Sequence, residues 1–290
     1  HSVGEVSSAY ASGILSLRDA ITVSYHRGRT QAKTAGTGAM LATALSREDA
    51  EKVIEPYAGK VSIAGINSPS NSTLSGDESA IDTIAAQLES EGIFARKLRV
   101  EVPYHSAGMD PIIDELNTSL QGLKPNPSQV KVYSTVTGKL AEVGAFNNQY
   151  WCDNVRQPVF FNAAMDSLIA DGYETFLEIG PHPVLTGYIK EIIGVHASKG
   201  NCFNTLKRKE DEQLQLRDAV AALWVNGVNW DLSQWLGDAS EKLKLPAYPW
   251  QRKSFWHEDK YARLSRQGWP DAHVLLGYKT ADPLPTWHTE

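Results

Sequence analysis

A chain of 290 residues is long enough for one large domain or two smaller ones. Hydrophobic residues make up 42% of it and charged residues 21%, a balance that supports a sizeable core and excludes a disordered chain. The 28 Lys and Arg residues are outnumbered by 34 Asp and Glu residues, and the net charge of −6 argues against a nucleic-acid or membrane-surface binder.

The cysteines and the apolar runs indicate the cellular compartment in which the protein is expected. Cys152 and Cys202 are far apart in the sequence, which argues against a disulfide framework and a Cys-based zinc site. No apolar run reaches 18 residues, and no signal peptide opens the chain. We therefore expect a reducing, cytoplasmic compartment and no membrane partner.

The chain opens on His1-Ser2-Val3-Gly4-Glu5, which matches the second half of a G-x-S-x-G nucleophile elbow. In that motif the serine lies on a strained turn between a strand and a helix, with its Oγ exposed. The small residues from Ser7 to Gly13 predict a tightly packed helix whose N-terminus suits an oxyanion. The N–H of Val3 would be one donor to that oxyanion. By itself, the short S-x-G pattern favours an ordinary N-cap serine over a nucleophile.

A second helix is predicted from the capping-box-like Ser16-Leu17-Arg18-Asp19 to about Ala32. It carries Arg27, for which two readings are open. Arg27 is either an ordinary surface residue or a bidentate clamp for a substrate carboxylate, which a planar guanidinium suits better than an ammonium.

Between the Gly-rich stretch 34–38 and Pro103, the pattern predicts a β-α-β-β-α-β unit. Its strands are expected at 39–45, 61–67, 72–75 and 93–100, and its helices at 46–57 and 77–90. This order is the ferredoxin-like arrangement, and its length suits a small inserted subdomain.

Beyond Pro103, alternating strands and helices predict a mostly parallel α/β sheet. Strands are expected at 130–136, 175–179 and 202–206, and helices at 109–120, 159–170, 184–193 and 214–225. The segment 147–158, rich in Trp and Asn, predicts a loop. The segment 245–256 holds two prolines and four aromatic residues, which predict an extended tail packed over a neighbour.

A serine nucleophile needs a base, and the chain has eight histidines. No two of them have the i,i+4 spacing of a helical zinc site, so we expect no metal centre. His105 follows Pro103 at a predicted strand-to-helix junction, where an imidazole can reach into a cleft. His182 lies in a Pro-flanked turn. A structural role remains open for both, because a lone histidine is more often structural than catalytic.

Six motifs then occur in a recognisable order. They are His-Ser-Val-Gly-Glu at 1–5, Tyr-His-Arg at 25–27, Asn-Ser-Pro at 67–69, Pro-Tyr-His-Ser at 103–106, Glu-Ile-Gly-Pro-His-Pro-Val-Leu at 178–185 and Leu-Pro-Ala-Tyr-Pro-Trp-Gln-Arg at 245–252. In this order they resemble the acyltransferase domains of modular and iterative polyketide synthases. They also resemble the malonyl-acyltransferase part of animal-type fatty acid synthases.

The resemblance covers essentially the whole chain and implies its organisation. It implies an α/β fold, with a hydrolase-like parallel-sheet subdomain, truncated at the N-terminus, at 1–37 and 103–195. A ferredoxin-like α+β subdomain would be inserted at 38–102. Residues 196–268 would form the C-terminal acyltransferase segment and the post-acyltransferase linker, and 269–290 the start of a dehydratase domain.

The resemblance also implies residue roles. Ser2 would be the acylated nucleophile and His105 the general base of a Ser–His dyad. The family orients this histidine through a backbone carbonyl, which the N-x-x-x-P-V pattern assigns to Asn154. Arg27 matches the arginine that holds the malonyl carboxylate, and Val3 matches the oxyanion donor.

Further positions matching the family concern the cleft and the choice of substrate. Asn67, on the insert, would border the cleft. The residue before the catalytic histidine tracks selectivity in this family, an aromatic with malonyl and a small serine with methylmalonyl. Tyr104 therefore predicts malonyl, although Pro103 departs from the commonest malonyl pattern.

The implied activity is transfer of malonyl from malonyl-CoA, through an acyl-serine, to the phosphopantetheine arm of an acyl carrier protein. No metal and no tightly bound cofactor is implied. The implied partners are the carrier protein, ketosynthase and dehydratase domains of the same polypeptide, and a second copy that dimerises through other domains. Three alternatives remain: a methylmalonyl-specific acyltransferase, a non-catalytic scaffold, and an esterase-like hydrolase, which Arg27 disfavours because a cation suits an anionic acyl group.

A nucleophile elbow requires the strand that leads into it. We expect this strand and the second oxyanion donor in sequence upstream of His1. The 290 residues would then be part of a longer polypeptide. Made alone, they are expected to be aggregation-prone and unable to self-acylate from malonyl-CoA.

Overall fold

The computed structural model describes residues 1–229, 231, 244–253, 255–267, 273, 275–279, 284 and 286–288. The chain divides into two compact units, His1–Trp230 and Asp231–Glu290. The helices described in the first unit are α1 (Gly4–Ala11), α2 (Leu17–Gln31), α3 (Arg47–Ile54), α4 (Glu78–Ser90), α5 (Asp110–Ser119), α6 (Asn148–Arg156), α7 (Phe161–Ala170), α8 (Thr186–Val195) and α9 (Glu212–Val225). Its strands are β1 (Ala39–Thr43), β2 (Val61–Ser68), β3 (Asn71–Gly76), β4 (Ala95–Lys97), β5 (Tyr133–Ser134), β6 (Lys139–Leu140), β7 (Thr175–Glu178) and β8 (Asn201–Asn204).

Strands β1 to β4 form one antiparallel sheet in the order β2-β3-β1-β4. With α3 after β1 and α4 after β3, the elements follow the β-α-β-β-α-β order expected from the sequence. Strand β4 covers only Ala95–Lys97, shorter than the expected 93–100, because its pairing with β1 ends at Thr43.

Apolar residues of both the helices and the strands form the hydrophobic core against this sheet. Ile81, Ile84 and Leu88 recur along one face of α4 and are fully buried with Leu41 of β1 and Leu74 of β3. Each such side chain contributes about 1.5–3 kcal/mol by leaving water. Helices α3 and α4 begin where the sequence predicts. Ser46 caps α3 by accepting a hydrogen bond from the Asp49 N–H, and Asp77 caps α4 by accepting one from the Ala80 N–H.

A second core lies among α1, α2, α5 and α6, and it corrects one expectation. The segment 147–158, expected to be a loop, forms α6. Asn147 caps this helix by accepting a hydrogen bond from the Tyr150 N–H at 3.0 Å, so asparagine here starts a helix instead of breaking one. Trp151 and Val155 lie one helical turn apart and are fully buried in this core. Tertiary burial therefore overrides the composition of the segment.

The remaining strands of the first unit are fewer and shorter than expected. Of the predicted strand 130–136, only Tyr133–Ser134 is a strand, and it pairs antiparallel with Lys139–Leu140. Strands β7 and β8 pair in parallel, and Val159 forms an isolated parallel bridge to Gly65 of β2. Among the strands described after Pro103, the parallel part is thus one pair of strands and not a full sheet.

In the second unit, the described residues include α10 (Lys260–Gln267) and the antiparallel pair β9 (Tyr278–Lys279) and β10 (Trp287–His288). The stretch 244–253 has neither helix nor strand, as expected for an extended tail. Parts of two predicted segments lie outside the described residues: 230, 232–243, 254 and 268 of the acyltransferase segment and linker at 196–268, and 269–272, 274, 280–283, 285, 289 and 290 of the dehydratase start. None of the described helices has the length and apolarity that a membrane span requires.

Candidate active site

Ser2 lies on a tight turn immediately before α1. Its backbone has a φ of 49°, in the left-handed region that costs a non-glycine residue of order 1–3 kcal/mol. The Ser2 carbonyl accepts a hydrogen bond from the Glu5 N–H at 3.1 Å, which closes the turn. The N-cap of α1 is Val3, and no side chain caps this helix. The Ser2 hydroxyl therefore caps no N–H group of α1, in contrast to an N-cap serine.

The Ser2 hydroxyl faces His105, with 2.8 Å between Oγ and Nε2. His105 also has a positive φ, 58°, and its backbone N–H donates to the Val155 carbonyl at 3.3 Å. Its Nδ1 lies 3.0 Å from the carbonyl oxygen of Gln157. Because a carbonyl only accepts, Nδ1 carries the proton and Nε2 is free to accept the proton of Ser2.

The expectation that Asn154 supplies the orienting carbonyl is wrong. That carbonyl belongs to Gln157, the residue that follows the last turn of α6. Asn154 lies inside α6, where carbonyls point along the helix axis. Gln157 has extended backbone, with φ −81° and ψ 159°, so its carbonyl leaves the helix direction and reaches His105. The side chain of Asn154 has another role, described below.

Burial and, to a smaller extent, the positive charge of Arg27 together lower the pKa of His105 to about 4. The hydrogen bond to the Gln157 carbonyl opposes both effects. His105 is therefore neutral at physiological pH, which is the form that can accept a proton.

Arg27 projects from α2 into the same site and is only 3% exposed. Its Nη2 donates to the Ser2 Oγ at 3.2 Å, while Nε and Nη1 are buried without a hydrogen-bond partner. It makes no salt bridge with any residue that the structure describes. Burial lowers its pKa to about 10, so the group stays cationic at neutral pH. A buried cation with two unpaired nitrogens fits an anionic ligand.

The remaining predicted positions surround this group. Asn67, at the end of β2, is buried; its Oδ1 lies 3.3 Å from His1 Nε2 and its Nδ2 donates to Thr73. The Val3 N–H donates to no other described residue and stands beside Ser2. Tyr104 is half-buried against the helical core.

Pro103, the second selectivity position, lies on the side of the loop toward the insert. Its carbonyl accepts from the Ser106 hydroxyl at 2.7 Å. A Cβ on Gly38 would approach the Pro103 ring to 2.9 Å, so the proline packs directly against the hinge of the inserted unit. The loop that carries His105 is thereby fixed from both ends.

Sequence reasoning missed Gln157 and the buried carboxyl group of Glu5. Both stand in motifs that were recognised, the N-x-x-x-P-V pattern and the elbow, but neither motif gave them a role. The described residues hold no group of three or more His, Cys, Asp or Glu side chains that could bind a metal ion.

Comparisons with known proteins show what this chain is similar to. Residues 1–229 match the family described as acyl transferase domain. Highly reducing polyketide synthase Preu1 of Preussia isomera is 34% identical over 310 residues, which cover 97% of this chain and 13% of that protein. Highly reducing polyketide synthase easB of Emericella nidulans is 36% identical, over 97% of this chain and 12% of that protein. The chain thus spans about an eighth of the length of these curated relatives.

Solved structures give the same result. The acyltransferase domain from module 8 of the salinomycin polyketide synthase superposes with a TM-score of 0.78 at 32% identity, over 80% of this chain and 55% of that one. The malonyl CoA-acyl carrier protein transacylase of Clostridium perfringens superposes with a TM-score of 0.68 at 26% identity, over 78% and 70%. The present chain belongs to the acyl transferase domain family of type I polyketide synthases.

Proposed function

We propose that this domain transfers a malonyl unit from coenzyme A to an acyl carrier protein through an acyl-Ser2 intermediate. The observation that supports this best is the Ser2–His105 hydrogen bond of 2.8 Å beside a buried Arg27 with two unpaired nitrogens. A nucleophile, a base and a cation for an anionic acyl group then share one site. The similarity to a malonyl CoA-acyl carrier protein transacylase supports the same substrate class.

In the first half-reaction, the free carboxylate of malonyl-CoA binds the guanidinium of Arg27. His105 takes the proton of Ser2 through Nε2 while Oγ attacks the thioester carbonyl. The N–H of Val3, at the N-terminus of α1, donates to the oxyanion of the tetrahedral intermediate. The intermediate collapses, and the departing coenzyme A thiolate takes the proton from His105.

In the second half-reaction, the phosphopantetheine thiol of the carrier protein replaces coenzyme A. His105 accepts the thiol proton while the sulfur attacks the malonyl ester on Ser2. The second tetrahedral intermediate collapses to the carrier thioester, and Ser2 recovers its proton from His105. The Gln157 carbonyl keeps Nδ1 protonated throughout, so that Nε2 alternates between base and acid.

The extender unit that fits this proposal is malonyl and not methylmalonyl. Tyr104 is adjacent to His105 in the chain and lies close enough to Arg27 to contribute to its electrostatic surroundings. A bulky side chain there crowds a substituent on the α-carbon of the acyl group. A methylmalonyl-specific acyltransferase is the alternative.

The proposal extends to the organisation of the polypeptide. Residues 1–37 and 103–195 are the hydrolase-like subdomain and 38–102 its ferredoxin-like insert, for which the sheet order β2-β3-β1-β4 is support. Residues 196–268 end the acyltransferase and include the linker, and 269–290 begin a dehydratase domain. Multidomain relatives about eight times longer support ketosynthase and dehydratase neighbours, a carrier protein and dimerisation through other domains. The two free cysteines are in keeping with a reducing, cytoplasmic compartment.

Incubation of the intact polypeptide with radiolabelled malonyl-CoA separates the proposal from its rivals. A malonyl transferase retains the label until a carrier protein is added. A non-catalytic scaffold between ketosynthase and dehydratase retains none, and an esterase-like hydrolase releases free malonate rapidly. The Ser2→Ala variant is the control, and retention of label by this variant would contradict the assignment of the nucleophile.

A further inference from the structure

A buried carboxyl group lies behind the nucleophile and takes no part in the steps above. Glu5 stands in the first turn of α1, and only 3% of its surface is exposed. Its Oε1 accepts hydrogen bonds from the Thr135 N–H at 2.6 Å and from the Tyr150 hydroxyl at 3.1 Å. Its Oε2 accepts one from the Asn154 side-chain amide. Glu5 forms no salt bridge within the described part of the chain, so neutral donors hold it.

Two of these donors come from the helix whose end also holds His105. Asn154 and Tyr150 lie on α6, and the same helix ends next to the Gln157 carbonyl that binds Nδ1 of His105. The Asn154 amide also approaches the Ser2 carbonyl at 3.4 Å. One carboxyl group thus joins the turn that carries the nucleophile to the helix that orients the base.

We propose that Glu5 is a positioning residue that sets the alignment of Ser2 with His105 by fixing the first turn of α1 against α6. The inference rests on the proposed acylation of Ser2. Burying a carboxyl group among neutral donors is unfavourable unless it is hydrogen-bonded, and here three donors bind its two oxygens. Ser2 also has a strained backbone, which requires surroundings that hold it in place.

Replacement of Glu5 by glutamine keeps the shape of the side chain but puts an N–H donor in place of the acceptor Oε2. The glutamine oxygen can still accept from Thr135 and Tyr150, but its amide nitrogen then faces the amide nitrogen of Asn154, donor against donor. A flip of the Asn154 amide, whose Oδ1 has no other partner, would remove this clash but withdraw the amide N–H from the Ser2 carbonyl. The first turn of α1 should shift. Small displacements of reacting groups reduce rates strongly, and we expect acylation to slow roughly tenfold to a hundredfold in Glu5→Gln.

The second substitution restores the polarity of the contact. In Glu5→Gln with Asn154→Asp, the glutamine amide can donate to the new carboxyl group. We expect this double variant to recover a large part of the lost rate. The total of buried charge and volume is unchanged, so the double variant should also match the stability of wild type. A role in core stability alone is therefore tested by the rate of Glu5→Gln in protein that circular dichroism shows to be folded, where that role predicts no loss of rate.

The test uses two readouts on the intact polypeptide. One is the rate of Ser2 modification by a fluorophosphonate probe, which has neither a carboxylate nor coenzyme A and so bypasses Arg27. The other is single-turnover malonyl loading, separated into its maximal rate and its half-saturating malonyl-CoA concentration. We expect Glu5→Gln to slow both reactions while the half-saturating concentration changes less than about threefold.

Glu178 provides the matched control. Its carboxyl group also accepts several hydrogen bonds, from the N–H groups of Val184, Leu185 and Thr186, but it lies away from Ser2 and His105. Glu178→Gln should leave both rates unchanged. Should Glu5→Gln not fold, Glu5→Asp replaces it, since the shorter side chain keeps the charge but withdraws from α6, and it should slow both reactions too.

The outcomes separate the two claims. If wild-type Ser2 takes up neither malonyl nor the probe, the proposed function is wrong. If wild type is labelled and Glu5→Gln and Glu5→Asp are labelled equally fast, Ser2 acylation stands and the positioning role is overturned. Equal slowing in Glu178→Gln, or no recovery in the double variant, would also overturn it.

Discussion

At the residue scale, we expect Arg27 to discriminate between acyl groups. Arg27→Ala should depress malonyl loading far more than acetyl loading, because only malonyl has a carboxylate to bind. A lost charge-assisted hydrogen-bond pair costs roughly 1.5–3 kcal/mol, about tenfold to a hundredfold in rate. The measurement is the ratio of malonyl to acetyl loading in variant and wild type.

A nearby arginine on the same helix serves as the control. Arg29 of α2 binds Glu115 at 2.7 Å on the surface, so Arg29→Ala should leave the malonyl-to-acetyl ratio unchanged. Equal losses with both acyl groups in Arg27→Ala would show that this residue does not bind the carboxylate.

The acid dependence of acylation reports on His105. Since its folded pKa is lowered to about 4, the neutral, proton-accepting form persists well below the usual histidine pKa of 6.5. The loading rate at pH 5.5 should therefore stay close to the rate at pH 7.5. An unshifted histidine would lose about tenfold over the same interval. Such a loss, in protein that circular dichroism shows to be folded at pH 5.5, contradicts the buried, neutral base.

The lowered pKa of His105 also makes the stability of the folded protein depend on pH. The unfolded chain binds a proton at His105 near pH 6.5, while the folded chain does so only near pH 4. The contribution of neutral His105 to stability is thus complete above pH 6.5 and is lost as the pH falls toward 4.

Tyr104 determines the extender in this account. In competition at equal concentrations of malonyl-CoA and methylmalonyl-CoA, malonyl should be the main group found on Ser2. Tyr104→Ser should move the product ratio toward methylmalonyl, because it removes the ring that crowds the α-carbon. A wild-type preference for methylmalonyl would show that Tyr104 does not set the size limit.

The sequence and its resemblance led to Ser2, His105, Arg27 and Asn67, and the structure brings all four together. They did not lead to Gln157. The carbonyl was assigned to Asn154 by position in a motif, and no side-chain property marks a backbone carbonyl. Its direction depends on where α6 ends, which the sequence did not reveal because the segment was interpreted as a loop.

At the scale of elements, local chemistry was more informative at helix starts than at strand ends. Ser16, Ser46 and Asp77 cap the helices that the sequence placed after them. A cap is an interaction within a few residues, so its signal is local. The lengths of β4 and β5 depend on pairing partners elsewhere in the chain, and neither ended where its own sequence predicted.

Glu191 of α8 fastens the turn between β2 and β3, next to Asn67. It accepts hydrogen bonds from the Ser68 hydroxyl, the Ser70 N–H and the Asn71 amide, at 2.8, 3.0 and 2.8 Å. Partial burial raises its pKa, but these hydrogen bonds outweigh burial and lower it overall.

Glu191→Ala should release this turn and destabilise the first unit by roughly 1.5–3 kcal/mol, the range for hydrogen bonds to a charged group. Hydrogen exchange at the Ser70 amide is the most direct measurement, since that N–H donates to Glu191 itself, and its exchange should accelerate. Glu210→Ala, which removes an exposed pair with Lys207, is the control. An unchanged exchange rate at the Ser70 amide would mean that the turn is stable without Glu191.

At the scale of the whole molecule, the first unit exposes apolar side chains of a kind that a soluble domain usually buries. Leu17, Ile21 and Tyr25 line one face of α2 and are 58%, 59% and 63% exposed. The only described strand that pairs in parallel with β7 along its length is β8, which leaves open edges. Produced alone, the 290 residues should aggregate and should not load malonate.

Size-exclusion chromatography checks this directly. Ile21→Glu should reduce aggregation, because it places a charge in the middle of the apolar face. Leu140→Glu, an exposed apolar residue of β6 away from that face, is the comparison and should change little. A monodisperse, cooperatively melting 290-residue protein that loads malonate would overturn the expectation.

The central claim is that Ser2 carries the malonyl group between two thiols. The most direct measurement is peptide mass spectrometry of the intact polypeptide after brief exposure to malonyl-CoA, with and without a carrier protein bearing phosphopantetheine. The account predicts a malonyl ester on the peptide that contains Ser2, its loss when the carrier is added, and its appearance on the carrier thiol. A malonyl group on another residue, or an ester on Ser2 that the carrier leaves in place, would contradict the account.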